Sequence, residues 1–233
     1  AIKDIKVKNS KAKQDAIRRG IAWCLGMQSA NGGWAAFDKD NTKHMLNKIP
    51  FADLEALIDP PTADLTGRML ELMGNFGYSK DHPQAVSALE FLKNEQEPEG
   101  PWFGRWGVNY IYGTWYVLIG LEAIGEDMNS PYIKKSVNWI KSRQNLDGGW
   151  GEVCDSYWDR TLMGCGPSTA SQTSWALMAL MAAGEVGCQA VERGIQYLLA
   201  TQNSDGTWNE DAFTGTGFPK FFMIKYHIYR NCF

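Results

Sequence analysis

Four times in this chain a glutamine stands six residues ahead of a tryptophan, with glycine in between. The units are QSANGGW (Gln28–Trp34), QEPEGPW (Gln96–Trp102), QNLDGGW (Gln144–Trp150) and QNSDGTW (Gln202–Trp208). Repetition on this scale identifies an array built from one recurring supersecondary unit, and the unequal intervals between units mark insertions. An aromatic residue precedes each glutamine by five positions: Trp23, Phe91, Trp139 and Tyr197. Arg-Gly also precedes the first and last units, at Arg19-Gly20 and Arg193-Gly194. The unit reads as a helix terminus. Glutamine closes an amphipathic helix and offers its amide to unpaired backbone groups at a neighbouring helix end. Glycine permits the left-handed turn that stops the helix. Tryptophan supplies a packing face and an N–H that needs an acceptor.

Between the units lie further helical patterns. In DLTGRMLELMGNFGY, Leu65, Met69, Leu72, Met73 and Phe76 share one face. SQTSWALMALMAAGE places Trp175, Met178 and Met181 on one stripe and stops at Gly184, and GTWYVLIGLEAIGE stops near Gly125. Alternating strand patterns are scarce. The expected fold is all-α: helix pairs stacked in an open array or closed into a ring.

Net charge of −3 gives no basic footprint for nucleic acid. Five scattered cysteines without a C-x-x-C pair argue against a disulfide scaffold or a zinc site and favour a reducing compartment. His44, His82 and His227 are too dispersed for a metal triad. No apolar run is long enough to span a bilayer, which leaves open an attachment to its surface. Ten Trp, nine Tyr and ten Phe are a heavy aromatic load and point to unusual packing or a large apolar pocket.

The four units resemble the QW repeats of the triterpene cyclases. GGWAAFDKDN, IPFADLEALIDPP, WFGRWGVNYIYGTW, STASQTSWALMAL and FTGTGFPKFF resemble squalene–hopene cyclase segments in the same order along the whole chain. The resemblance implies an α/α barrel (toroid), incomplete here, whose repeats brace the outer helices around an apolar cavity. It implies squalene as substrate and proton-initiated cyclisation to hopene and hopanol, without metal or organic cofactor. Attachment to the cytoplasmic face of the membrane as a peripheral, monotopic protein follows from the same resemblance, as does a homodimer. Protonating an isolated alkene needs a strong, pre-positioned acid. The cations that follow need aromatic faces, which attract positive charge without trapping it.

By resemblance, Trp106 lines the substrate cavity, and Phe218 and Phe222 stabilise later cations. Tyr226 and Tyr229, onward along a helix expected there, are cavity tyrosines. Phe37 stands where some members carry tyrosine, and Phe51 and Leu54 fall where the substrate channel meets the cavity. The family's protonating motif, Asp-x-Asp-Asp, does not occur in these residues and is expected a little before Ala1, together with the family's other helical domain. Residues 1–233 then form most of the catalytic barrel, and the fragment alone is expected to be inactive. Asp38 and Asp40, in FDKDN, read as loop residues. Asp59 and Asp64 match carboxylates that support the absent acid, and Arg68 stands where some members carry histidine. A guanidinium cannot shuttle a proton, but it stabilises the aspartate left after proton delivery. Read without the resemblance, Asp64 and Arg68 form an exposed ion pair opposite the apolar stripe. Two further readings stay open: another class II triterpene cyclase, acting on oxidosqualene or forming tetrahymanol, and a non-catalytic α/α toroid that binds protein. Toroidal prenyltransferase subunits would need a zinc cluster of Asp, Cys and His, which is not visible here.

Overall fold

The computed structural model describes residues 10–233. Seven substantial helices alternate between two layers. The outer layer holds α1 (Ser10–Gly26), α3 (Pro83–Asn94), α5 (Pro131–Ser142) and α7 (Gln189–Thr201). The inner layer holds α2 (Ala63–Asn75), α4 (Tyr110–Ile124) and α6 (Ala170–Ala182), packed side by side, with the short α8 (Tyr229–Cys232) against α6. The arrangement is an arc of an α/α toroid.

Each of the first three repeats is a three-way junction, and the fourth keeps part of it. The indole N–H donates to a carbonyl in the last turn of the outer helix it follows: Trp34 to Cys24 (2.8 Å), Trp102 to Leu92 (2.7 Å), Trp150 to Ile140 (2.8 Å) and Trp208 to Leu198 (2.9 Å). At a helix end these carbonyls lack the regular i+4 donor, and the indole adds one alongside the Met27 N–H at Cys24, the Arg143 N–H at Ile140 and the Thr201 hydroxyl at Leu198. The tryptophan backbone N–H reaches a threonine in the first turn of the next inner helix, Thr66, Thr114 or Thr173. The glutamine amide closes its own turn on Gly32, Gly100, Gly148 or Gly206. In the first three units it also donates to the first turn of the next outer helix, at Gln84, Tyr132 and Ala190. The Arg-Gly signal belongs to the same junction. Arg193 donates to the carbonyls of Asn145 and Leu146, and a Cβ on Gly194 would stand 2.7 Å from the Trp150 ring. Replacing Gln144 by alanine removes both ends of one such tie and is expected to cost about 1–2 kcal/mol, measured as a fall in the urea midpoint at unchanged slope.

Three local expectations are corrected. The stretch after Gly215 is not a helix: β1 (Gly215–Phe218) and β2 (Phe222–Ile224) form an antiparallel hairpin, and helix resumes only at Tyr229. Thr216, Phe218, Phe222 and Ile224 are of the β-branched and aromatic types that favour that extended pairing. On α6 the Trp-Met-Met stripe is not the buried face, because Trp175 is fully buried while Met181 is 50% exposed. An inner helix is covered on both sides, so apolar periodicity does not pick out its packing face. On α2 the core face is Ala63, Thr66, Gly67, Leu70 and Met73. Leu65, Met69 and Leu72 are only half buried and line a groove instead.

Candidate functional site

The groove lies between α1, α2 and the loop that follows Trp34, with a volume of about 500 Å³. Trp23, Trp34, Phe37, Leu65, Met69, Leu72, Trp106 and Arg68 line it, so its one charged group is set among aromatic and aliphatic walls. Phe37 and Trp106 meet edge-on, their centroids 5.8 Å apart.

The two carboxylates named from the sequence stand behind this pair and hold its backbone. Asp59 accepts from the N–H of Phe37 (2.5 Å) and of Asp38 (2.8 Å). Asp64 accepts from the N–H of Arg105 (2.9 Å), Trp106 (3.0 Å) and Leu65 (2.9 Å) and from the Thr62 hydroxyl (2.5 Å). Burial pushes the Asp64 carboxyl up from its ordinary value, and these donors oppose that rise. The exposed Asp64–Arg68 ion pair is corrected: Asp64 is 1% exposed and turned toward the loop, and the pair forms no salt bridge among the described residues. Arg68 turns instead to α4, where it donates to the Tyr116 hydroxyl.

The hairpin is sewn to the same loop. Gly215 bridges Gly107, and the Thr216 N–H donates to the Trp106 carbonyl at 3.3 Å. It pairs Phe218 with Phe222 across its strands, beside the segment that carries Trp106. Phe222 is 52% exposed. Tyr226 stacks on Tyr229 at 4.6 Å, and Tyr229 reaches Trp175 at 6.0 Å. Arg68, Phe37 and Trp106 are therefore brought together, with Asp59 and Asp64 in support, while Phe218, Phe222, Tyr226 and Tyr229 do not line the groove. Phe51 and Leu54 are not part of this groove. They sit on the loop around the short 3₁₀ turn Asp53–Glu55, exposed by 82% and 40%, and Leu54 adopts a left-handed backbone at φ 54°.

Sequence reasoning missed the aromatic layer behind the groove. Tyr112, Trp115 and Tyr116 on α4 join Trp175 on α6, where Trp115 and Trp175 stack at 5.8 Å with planes 5° apart. The run YIYGTWY carried that signal, since α4 is buried around its whole circumference. Two buried glutamates were also missed. Glu152 accepts from the N–H of Asn109 and Ile111 at the start of α4, and Glu210 accepts from the Ser171 N–H and hydroxyl at the start of α6. Both sit two residues after a repeat tryptophan. An acidic group there offsets the positive end of the helix.

Paired helical layers locked by Gln and Trp around an aromatic interior define the class as an α/α toroid of the terpene-cyclase type. In fold the chain resembles the type II terpene cyclase MstE from Scytonema, in a structure with geranylgeranyl dihydroxybenzoate. The TM-score is 0.60 at 21% identity, covering 90% of this chain and 54% of that one. It also resembles ent-copalyl diphosphate synthase from Streptomyces platensis, with TM-score 0.51 at 15% identity over 96% and 45% of the two chains. The chain belongs to the squalene-hopene cyclase C-terminal domain family, whose model matches residues 1–233. It is 50% identical over 220 residues to the squalene–hopene cyclase of Bradyrhizobium diazoefficiens, covering 94% of this chain and 33% of that protein. It is 49% identical over 233 residues to that of Alicyclobacillus acidocaldarius, covering 100% and 37%. A dammaradiene synthase from Dryopteris crassirhizoma is 44% identical over 256 residues, covering 100% and 37%. The chain thus spans about a third of the length of the curated relatives it matches.

Proposed function

We propose that these residues form most of the catalytic barrel of a squalene–hopene cyclase, which protonates a terminal alkene of squalene and steers the resulting cations to hopene. Hopanol arises where water captures the last cation. The observation that carries this reading is the groove in which Phe37 and Trp106 meet edge-on beside the lone guanidinium of Arg68. Aromatic faces there attract a cation without offering it a base, and a fixed positive charge favours the carboxylate that a protonating acid leaves behind. Phe218, Phe222, Tyr226 and Tyr229 extend the aromatic lining toward later cations. Asp59 and Asp64 support the site through the backbone of the two groove aromatics. The acid itself is supplied by an Asp-x-Asp-Asp motif in sequence preceding this domain, and no cofactor takes part. Squalene reaches the cavity from a membrane surface, past Phe51 and Leu54, in a protein attached to one leaflet on the cytoplasmic side and assembled as a homodimer. Among the described residues no helix is long and apolar enough to cross a membrane.

The similarity to a dammaradiene synthase favours one second reading, a class II triterpene cyclase of different product. Incubation of the full-length protein with squalene, followed by mass-spectrometric analysis of the triterpenes, separates them. Hopene with a minor share of hopanol is expected. A dammarane product would select the second reading, and unchanged squalene would sink both. Residues 1–233 alone are expected to leave squalene unconverted.

A further inference from the structure

Arg68 stands on α2 between the groove and the aromatic layer, and what it grips there is a phenol. Its Nη1 donates to the Tyr116 hydroxyl, and its guanidinium lies over the Tyr116 ring, 4.5 Å from the centroid. Tyr116 is buried on α4, tilted onto Trp115 at 4.0 Å and edge-on to Tyr112 at 4.8 Å. Neither neighbour leaves its ring room to swing. Burial pushes its phenol up from the ordinary value, so it stays neutral and keeps a lone pair for the guanidinium.

Among the described residues the guanidinium is held from one side only. Asp64, one turn earlier, has its oxygens committed to the Arg105, Trp106 and Leu65 N–H groups and to Thr62. Among the described residues no carboxylate forms an ion pair with Arg68. Arginine carries five N–H donors in a rigid fork. One is spent on Tyr116, and Arg68 lines the groove.

We propose that Tyr116 is a positioning residue for the protonation step. Its hydroxyl and ring fix the Arg68 guanidinium against the groove wall, so that the free part of the fork meets the carboxylate of the upstream acid. This rests on the cyclase reading above. Without that hold the long Arg68 side chain, itself exposed, samples solvent, and the charge beside the acid is no longer fixed. A pre-positioned charge stabilises the ionised acid without reorganising as the proton leaves.

The test is kinetic, on the full-length protein with squalene. Tyr116→Phe keeps the ring and removes the acceptor. It is expected to lower kcat about tenfold with KM changed less than about twofold and the melting temperature little altered. Arg68→Gln is expected to lower kcat about a hundredfold, and the double variant to be no slower than Arg68→Gln, because Tyr116 acts only through Arg68. Arg68→Lys leaves α4 untouched, keeps the charge and loses the fork, and is expected to lose at least as much as Tyr116→Phe. Full kcat in Tyr116→Phe or in Arg68→Lys, or losses that multiply in the double variant, would overturn the inference alone. A parent protein that leaves squalene uncyclised overturns the cyclase reading and this inference with it.

Discussion

Replacing Gly120 by alanine is expected to destabilise the folded chain by about 3 kcal/mol and to depress activity further than that loss alone explains. The helices α2 and α4 touch backbone to backbone. A Cβ on Gly120 would lie 2.2 Å from the Gly67 carbonyl oxygen, and one on Gly67 would lie 2.4 Å from that of Tyr116. At Gly74 the distance to the Ala123 oxygen would be 2.0 Å. No rotamer relieves these clashes, because both partners are main chain, so α2 has to move. Arg68 neighbours Gly67 in sequence, so that movement loosens its hold on Tyr116. α4 cannot yield in α2's place, since it is also packed against α6. Gly187→Ala is the control: its Cβ meets nothing within 4 Å, and a change under about 0.5 kcal/mol is expected. Urea unfolding of both variants measures the difference. An unchanged midpoint for Gly120→Ala would show that the two helices stand further apart than described.

These glycines mark the boundary of what could be read from the sequence. The repeats were legible because every element of the unit has its own job: amide, left-handed glycine, indole. Spacing alone then identified the helix ends. Gly67 and Gly120, by contrast, look like weak points within helices, and their purpose appears only when a second helix lies against them. The same cause hid the direction of α2. Of its conspicuous apolar stripe, Leu65, Met69 and Leu72 face the groove and only Met73 joins the core face, whose Ala63, Thr66 and Gly67 hydrophobic periodicity does not register. Opposite that stripe Asp64 reads as exposed beside Arg68, whereas the fold buries Asp64 and leaves Arg68 exposed. Family resemblance named Phe37 and Trp106 but not Tyr116, because resemblance transfers known positions and the Arg68–Tyr116 contact is a long-range one. The hairpin at Gly215–Ile224 was hidden for a long-range reason. Its few residues pair in part with the Trp106 loop, a partner far away in sequence.

Asp64→Ala is expected to cost about 4 kcal/mol and to abolish cyclisation by the full-length protein. The carboxylate is the acceptor for the Arg105 and Trp106 N–H groups, in a place where Asp64 itself is 1% exposed. Each buried donor deprived of its partner costs about 1–3 kcal/mol, and a cavity is added to that. The loop that presents the Trp106 ring to Phe37 is then unanchored at the two residues that matter. Asp64→Asn separates this positioning role from proton chemistry. Its amide oxygen can still accept from Arg105 and Trp106, while its NH₂ group must then face the Leu65 N–H. That single donor–donor conflict is expected to cost about 2 kcal/mol. If Asp64 works by holding the loop, Asp64→Asn keeps a measurable share of kcat, and Asp64→Ala keeps none. If Asp64 exchanges a proton during turnover, asparagine is as dead as alanine despite its better stability. Parallel measurement of unfolding midpoint and kcat for the two variants decides between these roles. A stable Asp64→Asn without activity would overturn the assignment of Asp64 as an anchor for Trp106.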